Sequence, residues 1–380
     1  MKIAILAPVP VWFLPGLEHL LAPGHYATWL EPLIPAFEEV VAEHGLDLHW
    51  ITMSQQTDSD VVHEAYGQTF HILARRSMGR QIITGYITEI RRIRRLLAQL
   101  QPDLLHAWGS ENVYGIAGAF SGMPVSRKLF TLQGCLTEYV RLLGGNALFR
   151  IQAFYEKPLV KRFKHATAES QGAAKLLQAL NPKMHIDLVD YGVNQEFFDA
   201  NWNPAESPEL LFLGSCSKRK GLTDLIELAR HPELSHIQFN IAGDGELRAQ
   251  LESTAPPNIT FLGKCDRQQV VSCLESAWAL IVPTYSDTGP TVIKEARVVG
   301  LPIITTTGAG ASSYITETGC GYVTKPGDIE ALSSALLDTC SSRENAMRLG
   351  SLSHGVHRET LHPNSTARKF AEIYHAQHAQ

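Results

Sequence analysis

The chain of 380 residues is 44% hydrophobic and 19% charged, with a formal net charge of -5. It is longer than a single core usually grows, so two domains are expected, and its apolar content excludes a disordered chain. The acidic balance excludes broad nucleic-acid affinity, which needs a basic surface against the phosphates.

Six cysteines, Cys135, Cys216, Cys265, Cys273, Cys320 and Cys340, form no C-x-x-C pair. Neither a zinc site nor a disulfide framework is expected, and a reducing cytoplasmic compartment fits them. No run of about 20 apolar residues stands in the sequence. The apolar opening, Lys2 to Leu6, is too short and too soon broken by Pro8 and Pro10 for a signal peptide.

In chain order, KIAILAP reads as a strand, LEPLIPAFEEVVAEHG as an amphipathic helix, LDLHWITM as a strand, residues 82–100 as a helix and DLLHAW as a strand. This alternation predicts βαβ units on a parallel sheet with helices on both faces. A first Rossmann-like domain is assigned to residues 1–195. After the polar, proline-bearing stretch Asn201 to Pro208, the segments ELLFLG, FNIAGDG, ITFLG, ALIVPTY and PIITTTG read as five short strands. They predict a second doubly wound domain over 196–362. Residues 363–380 read as a last helix that packs back on the first domain. In such sheets ligands bind beyond the carboxyl ends of the strands, so the residues just after them are the candidates.

Three such places stand out. In LFLGSCSKRKGLTDLI, Gly214 ends a strand, Lys220 stands at a helix start as a point charge for phosphate, and Gly221 allows close backbone approach. A solvated Lys-Arg-Lys turn is the plainer reading. In FNIAGDGELRAQL, Gly243 and Gly245 allow a tight turn, with Glu246 near a helix N-terminus. The third glycine of a dinucleotide fingerprint is absent. In SDTGPTVIKEARVVGLP, Asp287 follows a strand and Glu295 comes eight positions later, inside a helix that begins near Pro290. Proline suits a first helical turn, which leaves the N–H groups around Thr288, Gly289, Thr291 and Val292 open to an anion or to sugar oxygens. An N-cap aspartate followed by a solvated glutamate gives the same pattern.

Taken in order, together with ITFLG at 259–263 and GCGYVTKPGD at 319–328, these segments resemble the retaining glycosyltransferases of family 4 over about residues 210–340. The resemblance implies the GT-B fold, two Rossmann-like domains facing across a cleft. It implies that Glu295 holds the ribose, that Lys220 holds the diphosphate and that Asp287 touches the donor sugar. Two positions depart from the family: Asp287 stands for a glutamate, and Ser215 stands for an arginine whose charge Arg219 or Lys218 would have to supply.

The first half is less similar. PDLLHAWGSE resembles the family strand ending D-x-x-H-x-H, with Trp108 in place of the second histidine. His106 reads either as a sugar-side group or as a core histidine, and Ser110 and Glu111 are alternative polar groups there. Gln133 in FTLQG takes the place of a family histidine, and Gly24 with His25 is what remains of a paired-glycine loop. DYGVNQEFF resembles the family segment that leads into the second domain.

Asp58-Ser59-Asp60 spells a D-x-D, but no apolar strand run directly precedes it and no metal is expected there. Arg75, Arg76, Arg80, Arg91, Arg92, Arg94 and Arg95 read either as a lipid-facing basic helix or as a solvated face. The resemblance implies transfer of a sugar from a nucleotide diphosphate sugar to a hydroxyl of a glycan or lipid-linked saccharide, with retention and without metal or other cofactor. A sugar-nucleotide epimerase and an inactive nucleotide-sugar binder are the alternatives on the same fold. A cytoplasmic protein at the inner face of the membrane is the matching location; oligomeric state, donor and linkage are not legible.

Overall fold

The structure is a computed structural model that describes residues 1–20, 27–75, 86–145, 147–352 and 354–379, and of residues 143 and 148 the backbone alone. The chain divides into two units, Met1–Gly192 with His362–Gln380, and Val193–Leu361. The crossings fall slightly earlier than the expected 195/196 and 362/363.

In the first unit, eight strands are β1 (Lys2–Leu6), β2 (Asp47–Ser54), β3 (Val61–Ala65), β4 (Gln68–Ala74), β5 (Leu104–Trp108), β6 (Lys128–Thr131), β7 (His165–Ala168) and β8 (His185–Leu188). They lie in the order β3-β4-β2-β1-β5-β6-β7-β8, all parallel except β3. Around them run α1 (Leu30–His44), α2 (Ile87–Leu100), α3 (Val113–Ala119), α4 (Leu136–Leu143), α5 (Ala147–Val160) and α6 (Gln171–Leu180). Strand β1 is central, and Ile3 to Leu6 are wholly buried because helices cover both faces of the sheet. The β3–β4 hairpin was not foreseen from sequence. Its two-residue turn, Tyr66-Gly67, has positive φ at both positions, as a type I′ hairpin requires. Asp60, just before it, accepts from the Ala74 N–H at 2.9 Å and from Arg92 at 2.5 Å, so it ties β4 to α2. Among the described residues no group of three or more His, Cys, Asp or Glu side chains is placed to hold a metal.

The second unit has β9 (Glu209–Leu213), β10 (Gln238–Ala242), β11 (Ile259–Gly263), β12 (Ala279–Val282), β13 (Ile303–Thr306) and β14 (Gly321–Thr324). All are parallel, in the order β11-β10-β9-β12-β13-β14. The sixth strand, β14, lies in GCGYVTKPGD, where sequence reading gave five. Its helices are α7 (Gln195–Asp199), α8 (Leu222–Ala229), α9 (Arg248–Glu252), α10 (Arg267–Ser276), α11 (Thr291–Val299), α12 (Ser313–Thr318), α13 (Ile329–Thr339), α14 (Arg343–Ser351) and α15 (His354–Thr360). From β9 the chain winds outward through β10 and β11, then returns to β12 on the other side of β9. The order reverses between β9 and β12, and beyond the carboxyl ends of strands at such a point is where this kind of sheet takes its ligands.

Helix α11 is anchored at its far end by Arg297, whose side chain is fully buried. The guanidinium donates to the carbonyls of Leu301 (2.7 Å), Gly350 (3.2 Å) and Leu352 (2.6 Å) and to His357 Nδ1 (3.1 Å). It therefore closes the open carbonyls where α14 ends and joins that turn to α11 and α15.

The last helix, α16 (Pro363–His378), belongs to the first unit and packs on α1. A β-carbon on Gly192 would lie 2.5 Å from Pro363 Cα, and the Gly192 N–H donates to Thr366 Oγ1 at 2.9 Å. The Tyr374 hydroxyl meets His106 Nδ1 at 2.8 Å. The helix is thus part of the first core rather than a tail.

Candidate functional site

The loops leaving β9, β10 and β12 meet as bare backbone. A β-carbon on Gly243 would stand 1.8 Å from the Gly214 carbonyl, and one on Gly245 would stand 2.7 Å from the Cys216 carbonyl. Cys216 N–H donates to the Asp244 carbonyl at 3.0 Å, which stitches the two loops together. The short 3-10 turn Lys218–Lys220 then ends at Gly221, whose φ is +73° and whose β-carbon would fall 1.9 Å from the Pro283 carbonyl. The glycines that sequence reading assigned to ligand approach therefore serve first to let three strand ends converge.

That convergence carries Lys220 and Arg219 to the start of the segment after β12. Lys220 Nζ donates to Asp287 Oδ2, and Arg219 Nη1 lies 3.6 Å from the same oxygen. Arg219 also donates to the Ser286 carbonyl at 2.7 Å, while its own carbonyl accepts from Tyr285 N–H and Thr284 Oγ1. Asp287 is fixed in turn: its N–H donates to the Gly308 carbonyl and its carbonyl accepts from Gly310 N–H at 2.7 Å. Burial by itself would raise the Asp287 carboxyl, but Lys220 and Arg219, helped by the Gly289 N–H, outweigh it and hold it below its usual range.

Pro290 is the N-cap of α11 rather than a residue of its first turn, and it offers no side-chain cap. The first N–H groups of the helix, on Thr291 and Val292, have no partner inside it. Gly289 differs from the expectation: its N–H turns onto the Asp287 carboxylate, and Thr288 also has a partner. Glu295 lies about one turn into α11, where burial pushes its carboxyl up to about 7 against the pull of Arg267. No described residue donates a hydrogen bond to it. Ser215 is exposed and bonded to Ser217, and Lys218 and Glu246 are exposed. Arg219, not Lys218, stands beside the charge pair.

In the first unit the picture changes. His106 is 0% exposed, with Nε2 on Thr131 at 2.6 Å and Nδ1 shared by Tyr374 and the Trp108 indole N–H; burial holds the ring neutral. Trp108 is buried and stacks on Tyr191 at 5.6 Å. His106 thus takes the core reading of the two that sequence left open, and Trp108, a sugar-side candidate, is packed in the same core. Gln133 donates to the Tyr191 hydroxyl at 3.0 Å and is half-buried. Gly24 and His25 lie outside the described residues. Glu111 Oε2 is buried without a hydrogen-bond partner among the described residues, and burial, with the nearby Glu156, raises the carboxyl to about 7 against the pull of the Glu111, Ser110 and Gly134 N–H groups.

Sequence reading missed Glu156. Wholly buried, it accepts from Ser110 Oγ (2.6 Å) and from the N–H groups of Leu136 and Thr137, and so caps α4. The available signal was its place on α5 in step with Leu159, Val160 and Phe163, the inward side of the helix.

Residues 193–353, most of the second unit, match the family described as glycosyl transferases group 1. The amylovoran biosynthesis glycosyltransferase AmsK of Erwinia amylovora is 23% identical over 233 residues, 57% of this chain and 53% of that protein. The D-rhamnosyltransferase WbpZ of Pseudomonas aeruginosa is 21% identical over 365 residues, 88% of this chain and 90% of its own. Among solved structures, sucrose-phosphate synthase from Thermosynechococcus elongatus superimposes with a TM-score of 0.80 at 16% identity, over 100% of this chain and 99% of that one. Anabaena HepE in complex with UDP and glucose gives 0.71 at 14%, over 99% and 100%. The fold is GT-B.

Proposed function

We propose that this chain, a GT-B glycosyltransferase, transfers a sugar from a nucleoside diphosphate sugar to a hydroxyl of a glycan or lipid-linked saccharide. The observation that carries the reading is the convergence of Lys220, Arg219, Asp287 and the open first turn of α11 at one strand-order reversal. Glycosyl transfer builds negative charge on the departing diphosphate, and fixed cations with backbone N–H groups stabilise such charge where it develops. Lys220 and Arg219 take the phosphates, exchanging Asp287 for the ligand. Glu295, with no donor among the described residues, accepts from ribose hydroxyls. Asp287, released from Lys220, turns to the donor sugar.

Retention of configuration and independence of metal complete the proposal, since two cations already neutralise the site that a metal would otherwise serve. Glu111 and Gln133 are the groups proposed for the acceptor side, in place of His106 and Trp108. Two solved neighbours of the same fold are complexes with UDP or UDP-glucose, so UDP is the first nucleotide to test. Titration calorimetry with UDP and GDP should show binding to one of them that Lys220→Ala weakens. No binding of any nucleoside diphosphate, or binding indifferent to Lys220, would overturn the reading.

A further inference from the structure

Helix α5 carries two faces with apolar side chains, and one of them is exposed among the described residues. At about 100° per residue, Glu156, Leu159, Val160 and, just past the helix, Phe163 point inward and are buried. Ala147, Ile151, Phe154, Tyr155 and Pro158 fall within an arc of about 100° on the opposite side, and all are exposed. Phe154 is 75% exposed, Tyr155 56% and Ile151 51%. The Phe154 and Tyr155 rings meet edge to face at 5.4 Å, against each other instead of against the core. Leu142, near the end of the adjoining α4, extends the surface.

Charge identifies the occupant. From Tyr139 to Lys164 the sequence holds six cations, Arg141, Arg150, Lys157, Lys161, Arg162 and Lys164, all exposed. The one acid in that stretch, Glu156, is turned into the core. Arg141 is paired with Glu138 just before this stretch, and the other five give a cationic surface on a chain of net charge -5. Arg150, Lys157 and Lys161 border the apolar arc along the helix, the arrangement of a helix that lies in a lipid interface. A second copy of the chain would set this cationic surface against itself, which argues against self-association. The arginine-rich α2 is different: of its large apolar residues only Ile87 is exposed, and Arg92 is held by Asp60.

We propose that the outer face of α5 seats the protein on an anionic bilayer, with Phe154, Tyr155 and Ile151 in the headgroup–acyl boundary and the flanking cations at the lipid phosphates. The test is sedimentation of the full chain with vesicles of phosphatidylcholine alone, or of phosphatidylcholine and phosphatidylglycerol in equal parts. Binding is expected only to the mixed vesicles and should weaken with salt. Lys157→Gln and Lys161→Gln should each lower partitioning about fivefold. Phe154→Ser with Tyr155→Ser should lower it tenfold or more, while Arg91→Gln leaves it unchanged. Nucleotide binding and the thermal midpoint of these surface variants should match the parent, which separates this proposal from the donor-site reading. Equal binding to both vesicles, no binding, or a Phe154→Ser variant that binds like the parent overturns the proposal. A dimer that Phe154→Ser dissociates also overturns it, since the occupant is then a second copy.

Discussion

Lys220 is bonded to Asp287, 67 residues further along the chain, and Arg219 approaches the same carboxylate oxygen at 3.6 Å. The acid thus holds the cation proposed for the diphosphate. Lys220→Ala should lower kcat by about 10²-fold or more, as loss of a preorganised electrostatic partner does. Asp287→Asn should keep donor affinity within a few-fold, because it frees Lys220, yet lower kcat. Steady-state constants for both variants decide the matter, and a Lys220→Ala enzyme with parental turnover removes the phosphate role.

Glu295 should act on binding instead. Ribose contacts change little between ground and transition states, so Glu295→Gln should raise the donor KM about tenfold or more and leave kcat near parental. The carboxyl also has a pH signature. Its folded value near 7 lies above the ordinary 4.5, so the protonated form favours the folded state. That contribution is complete below about 4.5 and is lost as pH rises through 7. Glu295→Gln should therefore raise the thermal midpoint at pH 8 more than at pH 5, as calorimetric scans at the two values would show.

Gly243→Ala should abolish nucleotide binding without touching any charged group. Its β-carbon would lie 1.8 Å from the Gly214 carbonyl at a φ of +149°, so the β9 and β10 loops must part. A loss of about 2 kcal/mol or more in stability is expected alongside. Titration calorimetry and urea unfolding of the one variant test both halves, and unaltered binding shows that the two loops need not touch.

Arg297→Ala should destabilise the second unit by about 3 kcal/mol, roughly 6–12 °C in Tm, because it strips buried carbonyls of their donor. The neighbouring His357 gives acid sensitivity. Burial, and then Arg297, push its ring down to about 4, so the native imidazole stays neutral while the unfolded one protonates below about 6.5. The stability it supports is present above that value and falls away as pH drops toward 4. In His357→Gln the slope of stability against pH in that window should flatten, and an unchanged slope assigns the acid sensitivity elsewhere.

The parts of the fold that sequence exposes are those in which residues close in the chain do the work. Ile3 to Leu6 are a bare apolar run because their strand is buried on both faces, and the register of Lys220-Gly221 or Asp287 with Glu295 is set by one turn and one helix. Pairings at long range leave no such mark. Nothing near His106 announces that Tyr374, 268 residues later, will bond its ring, so sequence leaves the core and ligand-side readings of that histidine both open. Glu156 looks like one more charge on a basic helix until Ser110 and the start of α4 are brought to it. The β3–β4 hairpin was hidden for another reason: Tyr66-Gly67 is a weaker turn signal than Asn-Gly, though it adopts the same backbone.

The return of α16 to the first unit has a consequence for biosynthesis. The first unit cannot be completed until the chain has been made through Tyr374, after the whole of 193–361 has been synthesised. At about 5–20 residues per second, His106 and the face of α1 wait on the order of 10–50 s for their partners. The continuous second unit can close in that interval, so the nascent first unit is the one that needs protection from aggregation while the ribosome finishes the chain.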